Sequence, residues 1–217
     1  MDIPLFMNKK TVLCYGDSIT WGKTPADEKR MSADERWTGI LRNKLGDNYS
    51  IIEEGLPGRT TVWDDPVSGV YKNGLNYLIP CLDSHRPIDL CILMLGTNDL
   101  KKRFSLSATE IAHGIVLLVE AIKKSETGLE GTAPKILLMA PPYITKSSKF
   151  SDEFRNSYNK SQKLPVYYAK IANDYGLEFL DTSKIIAASE LDGVHPDVDE
   201  HFKLGNAVLK KVKEIME

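Results

Sequence analysis

Five short apolar runs alternate along this chain with longer segments of helical periodicity. The apolar runs are residues 11–15, 49–53, 88–95, 135–140 and 177–180. Four of the five are nearly continuous in hydrophobicity, as expected of parallel strands that are covered on both faces. The helical patterns cover residues 35–45, 73–83, 109–124, 154–174 and 199–216. This alternation implies right-handed crossovers and predicts an α/β fold, a three-layer α/β/α sandwich with a five-stranded parallel sheet.

The length of 217 residues predicts one domain, residues 1–217. A chain of this size buries roughly 70% of the surface that it exposes when unfolded. We find no internal repeat and no low-complexity linker, and the Gly-containing stretch 128–134 is predicted to be a short loop. The formal net charge of −2 gives no electrostatic reason to bind nucleic acid or an anionic membrane. No segment approaches the ~20 apolar residues of a transmembrane helix.

The three cysteines indicate a reducing compartment rather than a disulfide framework. Cys14 and Cys91 fall in predicted strands and Cys81 in a predicted helix, and their odd number shows no paired spacing. We expect buried, reduced thiols, and the sequence spacing indicates no metal-ligand cluster. Residues 1–6 lack the basic region and apolar stretch of a signal peptide. The sequence therefore predicts a cytoplasmic protein without a metal.

Ser18 lies in the stretch Gly-Asp-Ser-Ile-Thr-Trp-Gly, residues 16–22, directly after the first apolar run. This places the serine on the turn between a buried strand and the next helix, at the sheet edge where open α/β folds bind ligands. A serine N–H at a helix N-terminus can stabilise a developing oxyanion. Gly-Asp-Ser is also an ordinary turn with a serine N-cap, so this stretch alone leaves both interpretations open.

Three further polar segments each follow an apolar run or precede the last helix. Asp192 and His195 stand three residues apart, so the carboxylate can orient the imidazole within one loop. Asn98 follows the third apolar run, where its amide can donate to an oxyanion. Residues 54–60, Glu-Gly-Leu-Pro-Gly-Arg-Thr, follow the second run and offer free glycine N–H groups. Together with Ser18, these residues are the components of a serine hydrolase.

These four segments together resemble the SGNH (GDSL-type) hydrolase family, which is named for its Ser, Gly, Asn and His blocks. The likeness runs through residues 11–196 in family order. It is closer still to the bacterial aryl-esterase and acyltransferase branch, through Thr-Trp-Gly at 20–22, Arg-Trp-Thr-Gly at 36–39 and Ile-Glu-Glu-Gly-Leu at 52–56. The resemblance implies a flavodoxin-like SGNH hydrolase fold and a serine esterase whose partner is a small-molecule ester, with no cofactor.

The resemblance also implies roles for single residues. By this likeness Ser18 is the nucleophile, His195 is the base and Asp192 is the acid that orients the base. The N–H groups of Ser18 and Gly58 and the amide of Asn98 form the oxyanion hole. Gly58 is preferred over Gly55, because family members place the donating residue directly before the Arg/Asp-Thr pair. The branch further implies a homo-oligomer, with Trp63 and residues 140–144 and 164–168 as candidate interface segments, and acyl transfer to alcohols that compete with water.

The substrate is predicted less directly. Trp21 and Tyr143 are the predicted substrate contacts, and Trp63 and Phe150 can also rim the carboxyl edge of the sheet, although each aromatic could equally pack within the chain. Together they suggest a small acyl pocket for short-chain, acetyl-type esters. Lys23 stands where the close branch carries a second tryptophan, so the entrance should be more polar. A carbohydrate acetylesterase therefore stays open, as does a lysophospholipase or thioesterase acting on longer acyl chains.

Two non-enzyme alternatives also remain. A flavodoxin-like anion-binding module would use residues 16–20, but it gives Asp192 and His195 no role. A pseudo-enzyme scaffold predicts a missing catalytic residue, and none is missing.

Other polar residues near these segments are predicted to be structural. Asp17 should bond nearby backbone N–H groups, and Asp99 should cap the next helix or hold a loop by Asx-type hydrogen bonds. His85, His113 and His201 have no carboxylate at a suitable spacing within a loop, so we expect them to be at the surface or partly buried.

Overall fold

A five-stranded parallel sheet forms the centre of the molecule in the computed structural model, which describes residues 9–146, 150 and 152–217. The strands are β1 (Lys10–Gly16), β2 (Tyr49–Gly55), β3 (Leu90–Met94), β4 (Lys135–Ala140) and β5 (Glu178–Asp181). Their order across the sheet is β2-β1-β3-β4-β5, with every neighbouring pair parallel. The predicted parallel sheet is confirmed, and the predicted strand ends differ by at most two residues.

Seven α-helices surround this sheet in the described part of the chain. They are α1 (Ser18–Trp21), α2 (Trp37–Leu45), α3 (Gly74–His85), α4 (Ala108–Lys124), α5 (Tyr158–Ser161), α6 (Leu164–Tyr175) and α7 (Val198–Met216). The single helix predicted over 154–174 is wrong, since two helices form there. Pro165 lies in the first turn of α6, where its missing N–H does no harm, and it cannot continue α5.

Side chains that alternate along the strands build two separate cores, one on each face of the sheet. Leu13 and Tyr15 of β1 face the core that also contains residues of α3, α4 and α6. Val12 and Cys14 face the core formed with α2 and α7. The three cysteines are free and buried, as predicted. Within the described residues, no helix is long and apolar enough to cross a membrane.

The predicted interface segments 140–144 and 164–168 mostly pack inside the chain, so that expectation is corrected. Ile144 is buried in the α3/α4/α6 core, and Tyr168 in the same core donates its hydroxyl to the Leu95 carbonyl at 2.9 Å. Of the residues 164–168, Val166 is exposed and Tyr167 is partly exposed. Most apolar residues of these segments continue the core.

The strand order reverses at β1, which lies between β2 and β3. The connection after β1 leads to β2 on one side of β1, and the connection after β2 leads to β3 on the other side of β1. The loops that follow β1 and β3 therefore diverge and open a crevice between them. Gly16 ends β1 where a Cβ would collide with the Thr20 side chain and lie 2.9 Å from the Met94 carbonyl oxygen. Glycine therefore lets α1 begin immediately after the strand, at the edge of this crevice.

Candidate active site

Ser18, His195 and Asp192 form a continuous hydrogen-bonded chain at the carboxyl edge of the sheet. Ser18 Oγ lies 2.9 Å from His195 Nε2, and His195 Nδ1 lies 2.6 Å from Asp192 Oδ2. Ser18 and His195 are each 5% exposed, while Asp192 is fully buried. A nucleophile, a base and a carboxylate that orients the base are thus assembled with geometry suited to proton transfer.

The turn after β1 fixes the position of Ser18. Ser18 is the first residue of α1, and Asp17 caps this helix by accepting a hydrogen bond from the Ile19 N–H at 2.9 Å. The predicted backbone role of Asp17 is confirmed. Burial raises the pKa of the Asp17 carboxyl, and the Ile19 N–H partly offsets this effect. The Ser18 hydroxyl therefore projects from the start of a helix whose N–H groups are held in place.

The loop before α7 fixes the imidazole. Asp192 Oδ1 accepts hydrogen bonds from the backbone N–H groups of Val194 and His195, both at 2.8 Å, while its other oxygen meets the ring. Burial alone would raise the pKa of Asp192, but the hydrogen bonds from His195 and from the backbone outweigh it and hold that pKa below its usual value. The carboxylate stays ionised at neutral pH, where it selects the tautomer with the proton on Nδ1.

Gly58 and Asn98 lie in the same cavity as Ser18 and His195. Gly58 has φ +82°, a left-handed conformation that residues with a side chain disfavour. Asn98 Nδ2 donates to the Arg59 carbonyl at 3.0 Å and lies 3.5 Å from Asp17 Oδ2. The structure therefore brings together the predicted nucleophile, base, acid and oxyanion donors.

The cavity that holds these groups has a volume of about 200 Å³. It is lined by Ser18, Lys23, Glu28, Pro57, Gly58, Asn98, Lys101, Phe150, Glu153, Phe154, Val194 and His195. Two ion pairs flank its mouth, Lys23–Glu28 at 2.8 Å and Lys101–Glu153 at 3.5 Å. Burial lowers the pKa of Lys101, and Glu153 partly offsets that effect. These four charged side chains make their part of the cavity polar, as Lys23 led us to expect.

Trp21 and Tyr143, the predicted substrate contacts, lie outside the described lining of this cavity. The Arg30 guanidinium covers the Trp21 ring at 5.3 Å. Tyr143 lines a neighbouring cavity of about 470 Å³ with Ile186. Phe150 instead reaches the site, with its ring edge-on to the His195 imidazole at 6.2 Å between centroids. The sequence correctly predicted an aromatic residue beside the site at the carboxyl edge of the sheet. It could not predict which of the aromatic side chains points into the cavity.

Arg59 is a buried residue of the site that the sequence did not single out. Its Nη1 donates to the Gly16 carbonyl at 2.9 Å and also to the Glu54 carbonyl. Its guanidinium lies over the rings of Tyr15 at 4.2 Å and Tyr77 at 5.3 Å. Arg59 therefore ties the ends of β1 and β2 together directly beside Gly58. The sequence analysis used Arg59 only as part of the Arg-Thr pair that locates Gly58, and gave it no role of its own.

Two expectations for polar side chains are corrected. Asp99 holds a loop, but by long-range hydrogen bonds instead of local Asx-type ones. It accepts hydrogen bonds from the N–H of Thr61 at 3.0 Å and from its hydroxyl, and so joins two loops of the site. Burial raises the pKa of Asp99 to about 6. His201 is fully buried rather than near the surface, since it lies on the inner face of α7, and burial lowers its pKa to about 4.

Comparison with known proteins identifies the family. The GDSL-like Lipase/Acylhydrolase family matches the chain over residues 14–203. The chain belongs to this family. It is a carboxylic ester hydrolase with the fold of the SGNH hydrolases.

Solved structures of the same family superpose closely on this hydrolase. A carbohydrate acetylesterase from Sinorhizobium meliloti is 39% identical, with a TM-score of 0.91 over 96% of this chain and 100% of its own. The native aryl esterase of M. smegmatis is 36% identical, with a TM-score of 0.91 over 95% of this chain and 100% of its own. A carbohydrate acetylesterase family member from Sinorhizobium meliloti is 32% identical, with a TM-score of 0.90 over 95% and 99%. No match is found among curated proteins.

Proposed function

We propose that the protein hydrolyses short-chain esters through an acyl-enzyme on Ser18. The observation that carries this proposal is the unbroken Ser18–His195–Asp192 hydrogen-bonded chain at 2.9 and 2.6 Å. His195 Nε2 takes the hydroxyl proton as Ser18 Oγ attacks the ester carbonyl. Asp192 stabilises the imidazolium that forms.

The tetrahedral oxyanion is held by the N–H groups of Ser18 and Gly58 and by Asn98 Nδ2. Support comes from their common lining of one small cavity and from the fixed orientation of the Asn98 amide. Donors that are already oriented need no reorganisation as charge develops, and this lowers the barrier. The intermediate collapses when the C–O bond to the alcohol breaks and His195 returns its proton to the leaving oxygen.

Deacylation repeats these steps with water. His195 removes a proton from the water as its oxygen attacks the acyl carbonyl, and the acid leaves when the bond to Ser18 Oγ breaks and the proton returns to Oγ. Each proton transfer uses the same imidazole nitrogen. Besides the ester and water, the reaction as written uses side chains and backbone groups of this chain.

Replacing Asn98 by alanine is expected to lower kcat by roughly 10²–10³-fold with little change in KM, because its amide acts chiefly on the transition state. Steady-state kinetics on p-nitrophenyl acetate measures both constants. Asn43→Ala is the matched control, since Asn43 is exposed and its amide donates to Asp34 at 2.8 Å, and neither residue is among the described lining of the cavity. A change confined to KM would instead assign Asn98 to substrate binding.

Short acyl groups are the proposed substrates because the cavity is small, about 200 Å³. The solved relatives are described as an aryl esterase and carbohydrate acetylesterases, which supports small ester substrates. Lysophospholipase or long-chain thioesterase activity would need an extended apolar groove beside Ser18, whereas ion pairs flank the mouth here.

A panel of p-nitrophenyl esters from acetate to palmitate tests this proposal. We expect kcat/KM to be highest for acetate to butyrate and at least roughly tenfold lower for palmitate, because added methylenes do not fit a cavity of about 200 Å³. A fluorophosphonate should label Ser18 covalently. Equal or higher kcat/KM for palmitate would contradict the short-chain assignment.

Sugar acetates are a second candidate substrate class. The Lys23–Glu28 and Lys101–Glu153 pairs offer charged donors and acceptors to hydroxyl groups at the mouth. Hydrogen bonds to charged groups are stronger than neutral ones, so a polyhydroxylated alcohol would gain affinity there. Acyl transfer to an alcohol is the further reaction that we propose, since Pro57, Phe150 and Val194 give the cavity an apolar wall beside His195.

We propose that the protein is a homo-oligomer whose subunits meet at the loop 63–71. Four large apolar residues of this loop are exposed: Trp63 (37%), Val67 (75%), Val70 (63%) and Tyr71 (64%). The loop is held in place by the ion pair between Arg103 and Asp65 at 2.7 Å, so the surface is ordered before association. Lys72, the next residue, packs beside Gly58, and a neighbouring subunit there would narrow the entrance.

Light scattering behind a sizing column is expected to give a multiple of the 24.3 kDa chain mass at micromolar concentration. Val70→Glu should shift the mass toward one chain, because a charge would be buried in the contact. Val166→Glu, at a residue that is also exposed but lies on α6, should not shift it. A wild-type mass of one chain would contradict the oligomer.

We also propose a cytoplasmic location. The three free, buried thiols fit a reducing compartment, where disulfides rarely persist. Fractionation of cells that produce the protein would test this proposal.

A further inference from the structure

Glu54, Cys81 and His85 converge on the outer side of the α3/α4/α6 core. Cys81 and His85 are four residues apart on α3, so both side chains lie on one face of the helix. Glu54 comes from β2, the edge strand of the sheet. The sequence spacing predicted no metal-ligand cluster because the third side chain lies on a different element, about 30 residues away from α3 in the sequence.

One ligand atom from each of the three residues lies within 4.8 Å of the other two. His85 Nε2 and Glu54 Oε1 are already 3.0 Å apart. In a tetrahedral zinc site, metal–ligand distances of about 2.0–2.3 Å place neighbouring ligand atoms roughly 3.3–3.6 Å apart. Small rotations of the Cys81 and Glu54 side chains therefore bring all three atoms onto one ion.

The types of ligand select the class of metal. One sulfur, one imidazole nitrogen and one carboxylate oxygen suit Zn²⁺ and related borderline transition metals, whereas Mg²⁺ and Ca²⁺ prefer oxygen ligands. We infer that Glu54, Cys81 and His85 form a binding site for a divalent transition metal of the Zn²⁺ class. Cys81 binds through its sulfur, and the thiol proton is released to solvent as the metal–sulfur bond forms.

Two of the three candidate ligands reach solvent. Cys81 is 2% exposed, whereas the side chains of His85 and Glu54 are 31% and 20% exposed. The metal can therefore enter past the histidine and the carboxylate. Two anionic ligands, the carboxylate and the thiolate, outweigh the positive charge of the neighbouring Arg59, which lies over the Tyr77 ring.

The metal would connect α3 to the edge strand β2, near residues 54–60, the segment that contains Gly58. The Glu54 carbonyl accepts a hydrogen bond from Arg59, the residue directly after Gly58. Neither Cys81 nor His85 lines the catalytic cavity within the described residues. The inference does not depend on the proposed esterase mechanism, and its test uses signals from the metal itself.

The test is a titration of the purified, chelator-treated full chain with Co²⁺, followed by Zn²⁺. We expect one Co²⁺ per chain with the near-ultraviolet absorption band of a Co²⁺–thiolate bond, and displacement of that band by one equivalent of Zn²⁺. Zn²⁺ at a hundred times its Kd should raise Tm by about 5–10 °C. Cys81→Ser should abolish the band, and His85→Gln should weaken Co²⁺ binding roughly tenfold or more.

His85→Gln keeps the test meaningful if Cys81→Ser fails to fold, because His85 is partly exposed and its loss opens no cavity in the core. His113→Gln is the matched control, since His113 is exposed on α4, and it should bind Co²⁺ like the wild type. The site would be refuted by the absence of a thiolate band at stoichiometric Co²⁺. It would also be refuted by a band that persists in Cys81→Ser, or by His85→Gln and His113→Gln variants that behave alike.

Discussion

Replacing Ser18 by alanine is expected to abolish ester hydrolysis and leave the fold unchanged. The Ser18 hydroxyl bonds His195 Nε2 at 2.9 Å, and the side chain fills no core space that a methyl group would leave empty. Removal of the catalytic serine in subtilisin costs about 10⁶-fold in kcat, and a loss of that order is expected here. Initial rates on p-nitrophenyl acetate, with circular dichroism as the check on folding, measure the effect.

Ser183→Ala is the matched control for this variant. Ser183 lines the larger neighbouring cavity, and its hydroxyl donates to Asp181 at 2.6 Å rather than to a histidine. We expect it to keep the wild-type rate and to be labelled by a fluorophosphonate, whereas Ser18→Ala should lose both properties. Turnover by Ser18→Ala within about tenfold of wild type would refute the nucleophile assignment. Loss of activity in Ser183→Ala alone would move the chemistry to the neighbouring cavity.

The placement of the site was predictable because it follows from local patterns and one property of parallel sheets. Ser18 and Asn98 each follow an apolar run that forms a strand, and the carboxyl ends of parallel strands meet at one edge. Asp192 and His195 lie in one loop, so their contact needs no long-range information. Their functional roles stay predictions until the variants are measured.

The contacts that hold the site together depend on pairs of residues far apart in sequence. Asp99 bonds Thr61 across 38 residues, and Lys101 pairs with Glu153, which is more distant still. No periodicity in the sequence specifies such pairs, because each depends on where two separate loops meet after folding. Arg59 illustrates the same limit, since its buried position requires the rings of Tyr15 and Tyr77 to stack beside each other.

Side-chain direction was the other unpredictable quantity. Trp21 ends the short helix α1, and the turn there presents its ring to Arg30 instead of to the catalytic cavity. Glu53 and Glu54 are neighbours in β2, yet they project to opposite faces of the sheet. Glu53 pairs with Arg36 at 2.5 Å, while Glu54 meets His85. Two adjacent glutamates thus belong to two separate clusters, and their identical residue type does not tell which glutamate joins which cluster.

Replacing Asp192 by asparagine is expected to keep the fold yet lower kcat by about 10⁴-fold, as the equivalent change does in a serine protease triad. The asparagine oxygen can still accept the backbone N–H groups of Val194 and His195 that Asp192 Oδ1 accepts now. Its amide nitrogen, however, would donate toward His195 Nδ1. That donation places the imidazole proton on Nε2, where the ring can no longer accept the proton of Ser18.

Asp197→Asn is the control that separates this tautomer effect from a general loss of negative charge. Asp197 is exposed at the start of α7 and makes no side-chain capping hydrogen bond, so its replacement should leave kcat unchanged. Steady-state kinetics and thermal unfolding of both variants measure the difference. An unchanged kcat in Asp192→Asn together with a large loss in Asp197→Asn would make Asp197 the partner of His195. If the Tm of Asp192→Asn fell so far that the variant is unfolded at the assay temperature, the lost rate would assign Asp192 a structural role.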